Sequence, residues 1–212
     1  AVRWLGPGEH QVLTYDATSA RTGKPMPATE VEVLDTSGVA TEPLLRDVKA
    51  LVPAADYAET EVPHGAVALR FVDGVLDATL GPGRHAAWTT LRKVAFAVVD
   101  LREKVLQITG QEVMTKDRVT LRLNLAATYR VADPVRLVSV ARDADEVLYL
   151  AVQLGAREAV ASRTLDELLA SRDALSGAIA EEAARRAEAV GLVAQDLALK
   201  DVILPGEMKA LL

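Results

Sequence analysis

The residues able to do chemistry in this chain are few and widely spaced. There are three histidines, His10, His64 and His85, and no cysteine. The lack of cysteine excludes thiolate catalysis, disulfides and zinc sites built on sulfur. No His-Glu-x-x-His or His-x-His spacing occurs, so no metal site is expected. A serine hydrolase needs a base beside its nucleophile. The chain has no Gly-x-Ser-x-Gly elbow, and Ser176-Gly177 reads as a solvent-face residue beside a small packing residue. Gly6-Pro7-Gly8 and Gly81-Pro82-Gly83 would cradle a phosphate only with a full set of backbone donors. Proline removes one of them, so both read as tight turns. The expectation is a chain with no catalytic residue, no metal and no cofactor.

The remaining groups point to contact surfaces. Glu181, Glu182, Arg185 and Arg186 sit at helical i,i+4 spacing, predicting Glu181–Arg185 and Glu182–Arg186 pairs. Their two readings are a solvated helix face and a subunit contact. Arg118 and Arg122 share the wet face of an alternating strand, as solvated charge or facing a neighbour. Trp4 and Leu5 lie by the first Gly-Pro-Gly turn, Leu80 and Trp88 by the second. Tryptophan favours apolar–wet boundaries. These four either face lipid or a partner, or are ordinary core residues.

The elements that must position these groups follow from periodicity. Val119, Leu121, Leu123 and Leu125 alternate with Arg118, Thr120, Arg122 and Asn124, predicting a half-buried strand over 118–131. Strands are also expected at 29–34, 57–62, 66–72, 75–80, 86–89, 93–101, 103–109 and 192–204. Asp73-Gly74 is a hairpin turn. Helices are expected at 42–52, capped by Thr41, at 135–141, from Asp143 toward Ser162, after a Thr164–Glu167 capping box, and over 171–190 with Gly191 as the stop. Strands, then helices, then one strand is an α+β order, with helices covering one face of a sheet.

Leu5-Gly6-Pro7-Gly8-Glu9-His10 recurs as Leu80-Gly81-Pro82-Gly83-Arg84-His85. A hairpin precedes the second copy, so the repeat predicts that the first hairpin begins before Ala1. The missing initial Met and the unfinished helical run from Glu207 also predict a piece of a longer protein.

Composition narrows the function. The chain has 212 residues, half of them hydrophobic and only 4% aromatic, so Val, Leu and Ala must fill the core. The net charge of −6 argues against nucleic acid as a partner. It argues less against an anionic membrane, which a local basic patch can meet. No run of about 18 apolar residues is present to span a bilayer as a helix.

Gln111-Glu112-Val113-Met114-Thr115-Lys116-Asp117, then Val119-Thr120-Leu121, then Tyr129 through Pro134, resembles the SPFH (stomatin, prohibitin, flotillin, HflK/C) superfamily. So does the close, Gly191-Leu192 through Leu199-Lys200-Asp201-Val202-Ile203-Leu204-Pro205. Bacterial slipins are the nearest in pattern. The resemblance covers residues 66–212 and implies an SPFH-type antiparallel sheet packed by several helices. Residues 1–65 read as an N-terminal β-rich extension. The resemblance further implies a non-enzymatic, membrane-associated scaffold that forms a homo-oligomer, a large ring or cage. Implied partners are membrane lipid and an NfeD-type protein or membrane protease. Attachment would come from segments outside this chain, on the cytoplasmic face. The alternative is a soluble, vault-like shell component.

Overall fold

The computed structural model describes residues 36, 38–44, 49–50 and 52–204. Among the described residues the elements run in order β1 (Ala40–Thr41), β2 (Tyr57–Val62), β3 (Ala66–Val72), β4 (Val75–Leu80), β5 (Gly83–Trp88), β6 (Val94–Asp100), β7 (Lys104–Met114), β8 (Thr120–Val131), α1 (Pro134–Val140), α2 (Ala144–Ala161), α3 (Leu165–Ala170), α4 (Arg172–Glu188) and β9 (Leu192–Ile203). The sheets have the orders β1-β5-β2, β4-β3-β6 and β7-β8-β9. This is the expected α+β class. The chain forms two compact units, Ala1–Val62 with Ala68–Phe96, and Pro63–Val67 with Ala97–Leu212.

In the first unit, β5 pairs antiparallel with β1 and β2, and Tyr57 stands opposite Trp88. Val52, Tyr57, Ala86 and Trp88 form a small buried cluster with Leu44 against it. The Asp73-Gly74 turn joins β3 to β4, with φ of 52° and 84°. Two positive φ values define a primed turn, whose twist matches the flanking strands, and this is why Asp-Gly signals a hairpin. The expected helix over 42–52 is corrected at its start. Thr41 lies in β1 opposite Ala86, and Glu42–Leu44 is not helical, so Thr41 is not its cap. Lys49 is helical, and 45–48 lie outside the described residues, as do the expected strand 29–34 and the first Leu-Gly-Pro-Gly copy.

In the second unit, β8 is the central strand, antiparallel to β7 and β9. Leu121, Leu123, Leu125, Ala127, Tyr129 and Val131 are all buried, and the residues between them are exposed or half-buried. Helices α2 and α4 complete this core with Leu148, Val152, Val160, Leu175 and Ile179. They approach closely at Gly155, where an added Cβ would lie 3.2 Å from the Ile179 carbonyl oxygen. Leu, Val and Ala fill the core as composition requires, and Tyr129 is the one aromatic in the buried cluster.

Two strand ends differ from expectation. β8 starts at Thr120, because Arg118 has φ 67° and belongs to the hairpin loop. β7 continues through Gly110 to Met114, where Gly ordinarily weakens a strand. A register shift between Ile108 and Gln111 absorbs the irregularity. Asn124 Oδ1 takes the Gly110 N–H at 2.8 Å, so the bulge leaves that donor satisfied.

The helix ends carry the caps read from sequence. Asp133 accepts from Arg136 N, Asp143 from Asp145 N, and Thr164 and Glu167 form the reciprocal capping box. Gly191 ends the last turn after α4 with φ 84°, and its carbonyl takes the N–H groups of Ala132 and Asp133. A Cβ there would lie 2.5 Å from the Asp133 carbonyl oxygen. Gly191→Ala is therefore expected to destabilise the protein by roughly 2–4 kcal/mol in urea unfolding. Gly177→Ala, on α4 with nothing within 4 Å of the added Cβ, is expected to stabilise it by about 0.5–1 kcal/mol through helix propensity.

Candidate functional site

The β7–β8 loop and the turn it meets form a connected polar arrangement in the second unit. Thr115 N donates to Val119 O, Arg118 N to Thr115 O, and Val119 N to the Thr115 hydroxyl. These bonds close a tight loop and aim Lys116 and Asp117 outward. Lys116 N donates to Arg163 O at 2.8 Å, and Leu165 N donates to the Asp117 carboxylate at 3.2 Å. The loop thus holds the start of α3 from one side while Thr164 and Glu167 cap it from within. The Thr115 hydroxyl, ahead of the Asp117 and Leu165 backbone N–H groups, keeps the Asp117 carboxyl below its usual range.

Behind the sheet, two polar contacts tie α2 to the strands. Gln153 Nε2 donates to Gln111 Oε1 at 2.9 Å, and Gln111 is buried. The Tyr129 hydroxyl donates to the Asp145 carboxylate. Burial, with this bond second, pushes the Tyr129 phenol up. Sequence reading missed these partners because they lie 42 and 16 residues apart. No local pattern pairs them. The one usable signal was a tyrosine placed in register with buried leucines.

The sequence-predicted contact residues are distributed over separate surfaces. On the wet face of β8, Arg122 pairs with Glu112 directly opposite at 2.6 Å, both more than half exposed. Arg118 lies in the hairpin loop, outside that strand. On α4, Glu182 pairs with both Arg185 and Arg186. The expected Glu182–Arg186 pair forms, but Arg185 turns to Glu182, so the expected Glu181–Arg185 pair does not. One carboxylate lies within reach of both guanidiniums, at i+3 and i+4, and its charge holds them together. The arginines keep Glu182 below its usual range, Arg185 contributing most. Glu181 stays exposed.

Ser176 is corrected as well. Its hydroxyl donates to the Leu197 carbonyl of β9 at 2.9 Å, so it is an anchor between helix and sheet and not a solvent-face group.

In the first unit Trp88 is 3% exposed and packs edge-on against Tyr57, with ring centroids 5.5 Å apart. Core packing is the reading the structure supports for Trp88. Leu80 is half-buried, and Trp4 and Leu5 lie outside the described residues. His85 Nε2 contacts the Gly81 carbonyl at 2.7 Å, closing the second Gly-Pro-Gly turn, and His64 is exposed. Glu59 gathers Lys49, Arg84 and the Tyr57 hydroxyl. Lys49, the largest influence, lowers the Glu59 carboxyl.

Among the described residues no three His, Cys, Asp or Glu side chains gather to hold a metal. Within the core unit a cavity of about 30 Å³, lined by Ala127, Leu148, Ala180, Ala183 and the adjoining stretch of β9, has room for about one water. What this arrangement presents is surface: a rigid sheet with a wet face, and helices with a charged one.

The SPFH domain / Band 7 family matches residues 60–211. A stomatin homolog of Pyrococcus horikoshii is 33% identical over 129 residues, 61% of this chain and 48% of that protein. An uncharacterized protein of Archaeoglobus fulgidus is 32% identical over 139 residues, 66% of this chain and 55% of its own length. Human stomatin-like protein 3 is 28% identical over 114 residues, 54% of this chain and 39% of that protein. The chain spans about half the length of the first two of these curated relatives.

The Asp117 bridge has a pH signature. A carboxyl held below its usual value adds stability that is complete above the unfolded value and is lost as pH falls through the folded one. Asp117→Ala is expected to lower the melting temperature at pH 7. Its deficit relative to wild type should shrink as pH falls below about 4, the ordinary Asp range. Melting curves from pH 7 to pH 3 check this, and a deficit constant with pH would remove the charge from the account.

Proposed function

Because the chain belongs to the SPFH domain / Band 7 family, a family of membrane-associated scaffolds, we propose that it is an assembly module. Its task in this reading is to place copies of itself, and partners held by them, at a membrane. The observation that carries the reading is the family match over residues 60–211, which takes in all of the central sheet and its four helices. The stomatin-like names among the relatives support the membrane reading over the vault-like shell. No described helix is long and apolar enough to cross a bilayer, so attachment is assigned to other segments or to surface contact, on the cytoplasmic face.

The mechanism is geometric. A rigid unit repeated through one heterologous interface closes into a ring when its rotation permits. Partners gathered on such a ring gain effective concentration without new contacts. NfeD-type proteins and membrane proteases are the partners this reading assigns. Arg122, the loop residue Arg118 and the exposed side of α4, with Glu181, Glu182, Arg185 and Arg186, are the proposed subunit contacts. Charge pairs in such places set register and choice of neighbour more than strength.

Light scattering on the natural full-length protein tests the proposal. The expected result is a mass many times that of one chain. Arg122→Glu and Glu181→Lys are each expected to lower that mass, with circular dichroism unchanged. A strictly monomeric mass at every concentration would end the assembly reading.

A further inference from the structure

The wet face of the central sheet is not wholly polar. Val105 and Met114 on β7, and Val193 and Ile203 on β9, are exposed, by 36% to 61%. Val105 stands opposite Thr128 and Met114 opposite Thr120, while Val193 stands opposite Arg130 and Ile203 opposite Arg122. Directly opposite residues share a face, and these four β8 residues lie on its exposed or half-buried side. The four apolar side chains therefore mark the corners of one face.

Their spacing is matched. Val105 to Met114 is nine residues of chain, and Val193 to Ile203 is ten. One register shift between β7 and β8, and two between β8 and β9, remove the difference. Along β8, Thr120 to Thr128 and Arg122 to Arg130 are both eight positions, and the second pair is displaced from the first by two.

The centre of the face is closed within one copy. Lys200 Nζ donates to Gln107 Oε1 at 2.7 Å, Arg122 pairs with Glu112, and Asn124 Nδ2 donates to Asp201 at 3.2 Å. The corners have no such closure. Among the described residues β7 and β9 are also the two edges of this sheet. An edge strand offers backbone groups to a further strand. Of the β9 carbonyls, Leu197 O is already taken by Ser176.

The occupant that fits is a second copy, because each edge carries the complement of the other. β7 and β9 are both antiparallel to β8, so they run parallel to each other. Placed beside β9 of a neighbour with the displacement of two positions, β7 brings Val105 to Val193 and Met114 to Ile203 at once. The same placement brings the Gln107 amide to the Asp196 carboxylate, a donor to an acceptor. It brings Glu112 toward Asp201, and each keeps its own donor, Arg122 or Asn124. Two β7 edges meeting across a two-fold axis would leave the β9 corners in water.

We propose that copies of this chain join head to tail, β7 of one beside β9 of the next, through these matched corners. The contact is heterologous, so it repeats from copy to copy and closes when its rotation permits. Arg122, opposite Ile203, lies inside the joint. The inference rests on the assembly reading and deepens it by naming the interface.

Cysteine pairs test it, because residues 1–212 contain none. The natural full-length protein is used, with any cysteine beyond these residues replaced by serine. Under copper-catalysed oxidation, Val105→Cys/Val193→Cys and Met114→Cys/Ile203→Cys are each expected to give a disulfide ladder of dimers, trimers and higher species. Within one copy each pair lies on opposite edges of the sheet, beyond disulfide reach, so a ladder reports neighbours. A mixture of Val105→Cys protein with Val193→Cys protein should stop at dimers, and the mismatched pair Val105→Cys/Ile203→Cys should give no ladder. Circular dichroism establishes that each variant is folded, and light scattering gives its mass. A mass of many chains with no ladder from either matched pair overturns this interface and leaves the assembly reading standing. Covalent product from Val105→Cys/Met114→Cys marks a two-fold β7 contact and also overturns it. A monomeric mass of the parent protein, with no ladder, overturns both.

Discussion

Strand β8 has a hydrogen-bonded neighbour on each edge and an unbroken row of buried side chains on one face. A one-residue slip would carry Leu121, Leu123, Leu125 and Tyr129 to water and Arg122 and Arg130 to the core. Each aliphatic so exposed would lose about 2 kcal/mol of burial, so the register has no competitor of similar energy. Once that register stands, β7 and β9 must pair where they do, and α2 and α4 must lie over the leucines. The polar contacts then act on a frame already set by burial.

Those contacts cluster where the frame changes direction. Gly191 closes α4 and accepts hydrogen bonds from the residues that follow β8. Asp117 takes the first N–H of α3 from across the β7–β8 loop. Ser176 fastens α4 to the middle of β9. Each bond satisfies a backbone group that a helix end, an edge strand or a turn would otherwise leave without a protein partner. Because each links segments distant in sequence, together they make the sheet and its helices stiff. Stiffness is what the proposed ring assembly requires, since a small error in orientation repeated around a ring prevents closure.

Much of this was legible in the residues. Periodicity gave β8 its face, Asp-Gly gave the β3–β4 hairpin, and Thr164–Glu167 gave the start of α3, because each signal lies within a few residues. What sequence could not supply depends on distance or on choice among neighbours. The Gln111–Gln153 bond needs the fold before it can be seen. The Glu182 fork shows the second case. Helical spacing offers Arg185 either Glu181 or Glu182, and only the packed helix decides between i,i+4 and i,i+3. Arg118 shows a third. Its place in the alternation predicted a strand residue, yet loop closure by Thr115 required a residue at positive φ, and local geometry overrode pattern.

The same logic separates two kinds of apolar residue near turns. Trp88 and Val75 both stand near turns, and of the two only Trp88 was read from sequence as a candidate for an apolar boundary. The structure divides them by what is opposite. Trp88 faces Tyr57 across a strand pair and is enclosed by it. Val75 pairs with Val72 across a two-residue turn at a sheet edge, where no further strand follows. A large aromatic therefore serves the interior, while a modest aliphatic stays in solvent. Exposure of this kind follows from position in a sheet and not from residue type.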